Sequence, residues 1–278
     1  MRRNAIVRIV LFSILALSLV GVLIGGIAFK RYSAPGIIVR GTTEAPVVSR
    51  NHFNAEEIDR LNIDWAAGKI VILPVEGSEI AVTEELLGEE DEMVLKLDGS
   101  TLYVEYAENA VSLNFGSINK KNLYITVPQD WVCKELDIDA ASADVQAEFL
   151  TVEKLESSTA SGSHTFRDCK VEQLTLETVS GNLDYSGTLD KLDFSGVSAQ
   201  ADVVLTNFPK SIDVETVSGD VNLTLPKECG FTLEKDSVSG HFSSELETRK
   251  ENGKYVYGDG QCKIDVEGVS ASITIRKG

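Results

Sequence analysis

Three glutamates, Glu215, Glu234 and Glu267, occupy the same outward position in three late repeat units. On neighbouring strands about 5 Å apart, such carboxylates repel one another unless water solvates them or a cation bridges them. Calcium accepts clustered carboxylates in flexible geometry, so these three are the candidate divalent-cation site. The plainer reading is a solvated acidic face. The calcium-binding nonapeptide G-G-x-G-x-D is missing, and Ser158 and Ser195 interrupt the column. Carboxylate pairs also cleave glycosidic bonds, but most units are 18–21 residues long and leave little room for a cleft.

Other chemistry is sparse. The three histidines, His52, His164 and His241, are scattered, and His164 stands in a column that is otherwise apolar, which reads as a substitution at the edge of a repeat. Serines recur at a regular bend, where turn geometry explains them better than nucleophilic attack without a base. No P-loop, dinucleotide fingerprint, H-E-x-x-H or G-x-S-x-G appears, so no catalytic residue and no cofactor are predicted. Cys133, Cys169, Cys229 and Cys262 all precede repeat units. Cys133 and Cys169 would lie about 10 Å apart, beyond disulfide reach. Cys229 and Cys262 fall in successive units and are the candidate disulfide, against the alternative of packed, reduced thiols. Paired C-x-x-C spacing for zinc is missing. Trp65 and Trp131 flank predicted strands and read as cap packing rather than sugar platforms.

The elements that hold these residues are set by a repeat. Ser-Gly or Ser-Ala recurs at Ser142, Ser161, Ser180, Ser198, Ser218, Ser239 and Ser270, with spacings of 19, 19, 18, 20, 21 and 31 residues. "LTLETVSGNLDY" (174–185) and "IDVETVSGDVNL" (212–223) are its clearest copies, and "LNIDWAAGKIVI" (61–72) fits the same template. Apolar residues alternate on both sides of the small dyad, which predicts two short strands joined by a bend, each with one inward face. One unit cannot bury that face alone. Stacked units bury a continuous apolar column and pair every backbone group with the next rung. The fold class is therefore all-β, a parallel β-solenoid of about 20-residue repeats. "LKLDGSTLYVEY" (95–106) signals a hairpin within an N-terminal, partly antiparallel cap, and Asn252-Gly253 signals another protruding from the last rungs. The charged end "ITIRKG" would discourage added strands at an open edge.

Ahead of the repeats, residues 9–29 form 21 uncharged positions, long enough to span a bilayer as a helix. A cleaved signal peptide is the alternative, although no convincing A-x-A site follows. The organisation predicted is a cytoplasmic tail (1–8), a single-pass membrane anchor (9–29), a stalk (30–57) and a repeat domain (58–276). Within the last, 58–130 form the first rung and cap, and 131–276 the stacked repeats. Five basic residues and no acid lie in 1–31, which keeps the N-terminus inside and the rest outside. The remainder carries 21 Lys+Arg against 43 Asp+Glu, a net −22, which repels nucleic acid and anionic lipid and attracts cationic partners.

The order of parts, an anchor, then "LYITVPQDW" leading into "LDIDAASADV", then the "TVSGNL" and "TVSGDV" rungs, resembles the bacterial putative-adhesin domain family over about residues 58–276. That resemblance implies a β-repeat domain displayed at the cell envelope, sometimes associated with envelope-stress systems, and it carries no catalytic residues. The resulting expectation is a non-enzymatic, membrane-anchored envelope protein that offers a rigid surface to a protein or envelope component. Its oligomeric state stays open. A carbohydrate-active β-helix enzyme and a regulatory ectodomain acting through a membrane partner are the alternatives.

Overall fold

The computed structural model describes residues 48–85, 92–107 and 120–278; the anchor predicted at 9–29 lies outside them. Among the described residues there is no helix long and apolar enough to cross a membrane. Strands in chain order are β1 (Val48–Asn54), β2 (Arg60–Val75), β3 (Glu79–Glu85), β4 (Val94–Asp98), β5 (Thr101–Glu105) and β6 (Lys121–Pro128). There follow β7 (Val132–Glu148), β8 (Thr151–Ser161), β9 (His164–Ser180), β10 (Asn182–Ser198), β11 (Gln200–Leu205) and β12 (Ser211–Leu225). The last are β13 (Phe231–Ser239), β14 (Phe242–Ser244), β15 (Arg249–Glu251), β16 (Lys254–Tyr257) and β17 (Cys262–Lys277). They hydrogen-bond into one mostly parallel, solenoid-like sheet.

Identical columns stack on identical columns. Leu61, Leu136, Leu155, Leu174, Leu192, Ile212 and Ile264 lie in continuous register and point inward. Alternation with period two puts their neighbours outside, so one apolar core runs the length of the stack. Small residues at the bend let rungs approach. A Cβ at Gly162 would stand 2.1 Å from the Ala143 carbonyl oxygen, and its φ of +136° already suits glycine. The drop in repeat length from 19 to 18 is absorbed by one extra residue in β9. Asp168 there takes a left-handed φ of 51°, where the β9–β10 register shifts.

Chain order and stacking order part company at both ends. β2 lies between β5/β6 on one side and β7 on the other. Likewise β17 lies between β12 and the β13/β14 pair. The charged chain end therefore does not guard an open edge: Arg276 and Lys277 pair with Thr224 and Leu225 of β12. The physical reason is visible in β13. Lys235 occupies an inward register position opposite Val266, which a rung tolerates only where no further rung covers it. The unit with cleaner apolar columns goes inside.

The hairpin at Asn252-Gly253 forms with both turn residues at positive φ (49° and 87°), but it does not protrude. Its second strand, β16, folds back antiparallel onto Phe231–Leu233 of β13. At the other end the cap is antiparallel: β1 pairs with β3, β3 with β6, and β4 with β5 across Gly99-Ser100. Residues 48–54, read from sequence as the end of the stalk, thus belong to the cap as β1.

Candidate functional site

The register separates the three predicted glutamates. Glu215 lies opposite Glu267, as the spacing suggests. β13 is slipped by two residues from that alignment, so Glu234 lies opposite Asp265 and Asp236 takes the place beside Glu267. A slip of two preserves the inward face, and for that reason hydropathy cannot detect it. Glu234 forms an ion pair with Lys254 from the hairpin. Among the described residues no group of three potential metal ligands is gathered. What the outward positions make is a face of stacked acids. Burial, followed by the charge of neighbouring carboxylates, raises the pKa of Glu177, Asp193 and Asp265 on that face.

The histidines serve separate local roles. His52 is exposed and pairs with Glu79 (2.9 Å), and the backbone amide of His241 donates to Ser272. His164 is not at a rung edge. It points into the core between Val145 and Leu183 and is 0% exposed. There it shares a hydrogen bond with Ser157 (Oγ–Nε2 2.9 Å), the one polar exception in the facing column. Two anomalies in the repeat pattern therefore explain each other. Burial pushes His164 down to about 4, so the ring is neutral at pH 7. With Ser157 only 2% exposed, the pair has no approach for a substrate.

Burial pushes the thiols of Cys133 and Cys169 up to about 12 and about 11, which leaves them unreactive. Cys229 and Cys262 sit on stacked neighbours at the far end, both free. Trp65 and Trp131 are cap packing. Trp65 donates to the Lys121 carbonyl (3.0 Å) and stands edge-on to Tyr106, while Trp131 donates to the Ile58 carbonyl (2.8 Å).

Two features escape the repeat columns considered from sequence. One is a fully buried ion pair, Lys121–Glu84 (3.2 Å), inside the cap. Lys121 also donates to the Ala107 carbonyl (2.7 Å) and lies over the Tyr106 ring, while Glu84 accepts from the Met93 amide (2.7 Å). The other is an open groove of about 420 Å³ along one corner of the stack. Its floor is the position just before the first inward residue of each rung: Arg60, Glu135, Lys154, Gln173 and Lys191 in continuous register. A second row, Lys134, Glu153, Glu172, Asp190 and Lys210, lines its side. Cross-rung ion pairs tie it together: Lys134–Asp59 (2.7 Å), Lys154–Glu135 (3.5 Å) and Lys210–Asp190 (2.6 Å). Lys191 has no ion pair among the described residues. The signal for this groove in the sequence is the polar column just before the first inward residue of each rung: Arg60, Glu135, Lys154, Gln173 and Lys191.

A long apolar core wrapped by ladders of outward charge, with an open groove along one corner, defines the class: a solenoid-like β-repeat domain. The chain belongs to the Toastrack DUF4097 family, which matches residues 58–191 and 185–276. No curated protein matches it. Among solved structures it is similar to a putative adhesin from Bacteroides fragilis (11% identity, TM-score 0.45, covering 84% of this chain and 100% of that one). It is also similar to a putative cell adhesion protein from Clostridium sporogenes (14%, TM-score 0.41, 84% and 100%). A third is a putative lipid binding protein from Parabacteroides distasonis (13%, TM-score 0.42, 83% and 96%).

Proposed function

We propose that this protein is a non-enzymatic cell-envelope scaffold, with 9–29 as its membrane anchor and the β-solenoid of 58–276 outside. It would hold an extended, charge-bearing segment of a protein or envelope component in the corner groove. The observation that carries this reading is the groove itself. It spans six stacked levels, about 24 Å at the usual strand spacing, and its five cations and four acids make it a near-neutral, charge-rich strip on a domain that is otherwise strongly acidic. Exposed ion pairs of this kind contribute roughly 0–1 kcal/mol each, so a ligand's own charges can replace them at little cost. An extended chain suits such a surface better than a small molecule, which needs an enclosed, mostly apolar pocket.

The test is crosslinking of the full-length protein in its native membrane, repeated with Lys191→Glu and Lys210→Glu and with a calcium chelator. A reproducible partner lost in the charge-reversed variants supports the groove. Chelator sensitivity with indifference to the groove variants would move the site to the acidic face. Depolymerisation of a cell-wall glycan without any partner would sink the scaffold reading.

A further inference from the structure

We propose that Cys229 and Cys262 are a redox-active pair whose disulfide locks the outermost rung of the stack onto its interior strand. Their neighbourhood is fixed by backbone geometry. Cys262 opens β17, lies opposite Phe231 of β13, and donates its amide to the Gly230 carbonyl (3.0 Å), while Cys229 ends a tight turn by donating to the Pro226 carbonyl (2.9 Å). Both side chains are almost wholly buried, at 1% and 2% exposure, both are free thiols within interaction range of each other, and the Cys262 thiol donates to the Lys263 carbonyl (4.0 Å). No such arrangement holds for Cys133 and Cys169, which stand on strands two levels apart.

The pair is also chemically unequal. The neighbouring Cys262 thiol lowers the pKa of Cys229, whereas the neighbouring Cys229 and burial raise the pKa of Cys262. Cys229 is therefore the first thiolate formed and the attacking sulfur. With a low-molecular-weight disulfide as oxidant, the Cys229 thiolate attacks one sulfur, the oxidant's S–S bond breaks, and one thiolate leaves. Cys262 then gives up its proton and attacks the Cys229 sulfur of the mixed disulfide, releasing the second thiol. The protein loses two hydrogens and the oxidant becomes two thiols. β16 covers Phe231–Leu233 of β13, the stretch beside the pair, so the oxidant reaches Cys229 when that short hairpin lifts from the end of the stack. The crosslink closes the segment 229–262, which contains the β15–β16 hairpin, so the whole terminal cap is tied to β17.

The test uses the full-length chain in detergent, equilibrated with oxidised and reduced glutathione and then alkylated. The expected oxidised product is about 2 Da lighter than the reduced chain, with Cys229 and Cys262 in one crosslinked peptide and Cys133 and Cys169 still free. Its Tm should rise by roughly 5–10 °C over the reduced form. Cys262→Ala should stop at a mixed disulfide with glutathione on Cys229, and Cys229→Ala should leave Cys262 unmodified. Full alkylation of both wild-type thiols after equilibration with excess oxidised glutathione would overturn the proposal. A linkage through Cys133 or Cys169 would do the same. The wild-type measurement does not depend on either variant folding.

Discussion

At its N-terminal end the stack is closed by antiparallel strands folded over a buried ion pair, Glu84–Lys121, with Tyr106 and Trp65 packed around it. At its C-terminal end the last rung itself turns polar. Lys235 stands in an inward position, and a short hairpin covers only Phe231–Leu233. Both ends must shield an apolar column and an unpaired strand edge, and both invert chain order to do so. They differ in how firmly they do it. A charge pair out of water resists disturbance, because either partner left alone is an unsolvated charge. A polar rung at the rim keeps its lysine near water and gives up little when altered. Disturbing the N-terminal end should therefore cost more than disturbing the C-terminal end, which is the one a reversible crosslink would reinforce.

The sharpest way to break this contrast is Lys121→Ala. It should destabilise the domain by about 3–5 kcal/mol in urea unfolding, and Glu84→Leu with Lys121→Met should recover most of that loss. An effect below about 1 kcal/mol would mean the two ends are alike. Next comes a probe between the ends, the buried His164. Its pKa is about 4 folded against 6.5 for the free side chain, so the folded state binds fewer protons. Stability from this group is complete above pH 6.5 and is lost as pH falls towards 4, about 2–3 kcal/mol by pH 4.5. The raised carboxylates of the acidic face, Glu177, Asp193 and Asp265, act in the opposite sense, since protonation relieves them. The measurement is therefore the pH dependence of wild type minus that of His164→Leu. Equal slopes would place the histidine in contact with water.

Smaller effects should come from the C-terminal end. Gly253→Ala puts a side chain at a φ of 87° in the hairpin turn and should cost about 1 kcal/mol, with loosening of β15–β16 seen by hydrogen exchange. Lys235→Met should change stability by less than about 0.5 kcal/mol. A large loss there would show that Lys235 does at its end what Lys121 does at the other.

Much of this molecule is legible in its residues. The inward columns, the small bend dyad and both hairpin turns can be read from spacing alone. The polar exceptions Ser157 and His164 can also be seen, though not that they meet across the core. The ion pair is invisible to pattern, because Glu84 and Lys121 come from different cap strands. The groove is hidden for a different reason: its column is polar, and apolar periodicity carries no sign of it. The metal candidates illustrate the remaining limit, since Glu234 shares a unit position with Glu215 and Glu267 yet lies two residues out of register.

The sequence by itself determined the rung: alternation sets which side chains turn inward, and the glycine or alanine at the bend sets how closely rungs approach. Those are local properties repeated in every unit. It did not determine which rung lies on which, because near-identical columns stack with near-identical energy in any order. Tertiary structure decided that, by placing the rung with the inward Lys235 where no further rung would bury it. It thereby brought Cys229 near Cys262, Ser157 against His164, and six levels of mixed charge into one groove.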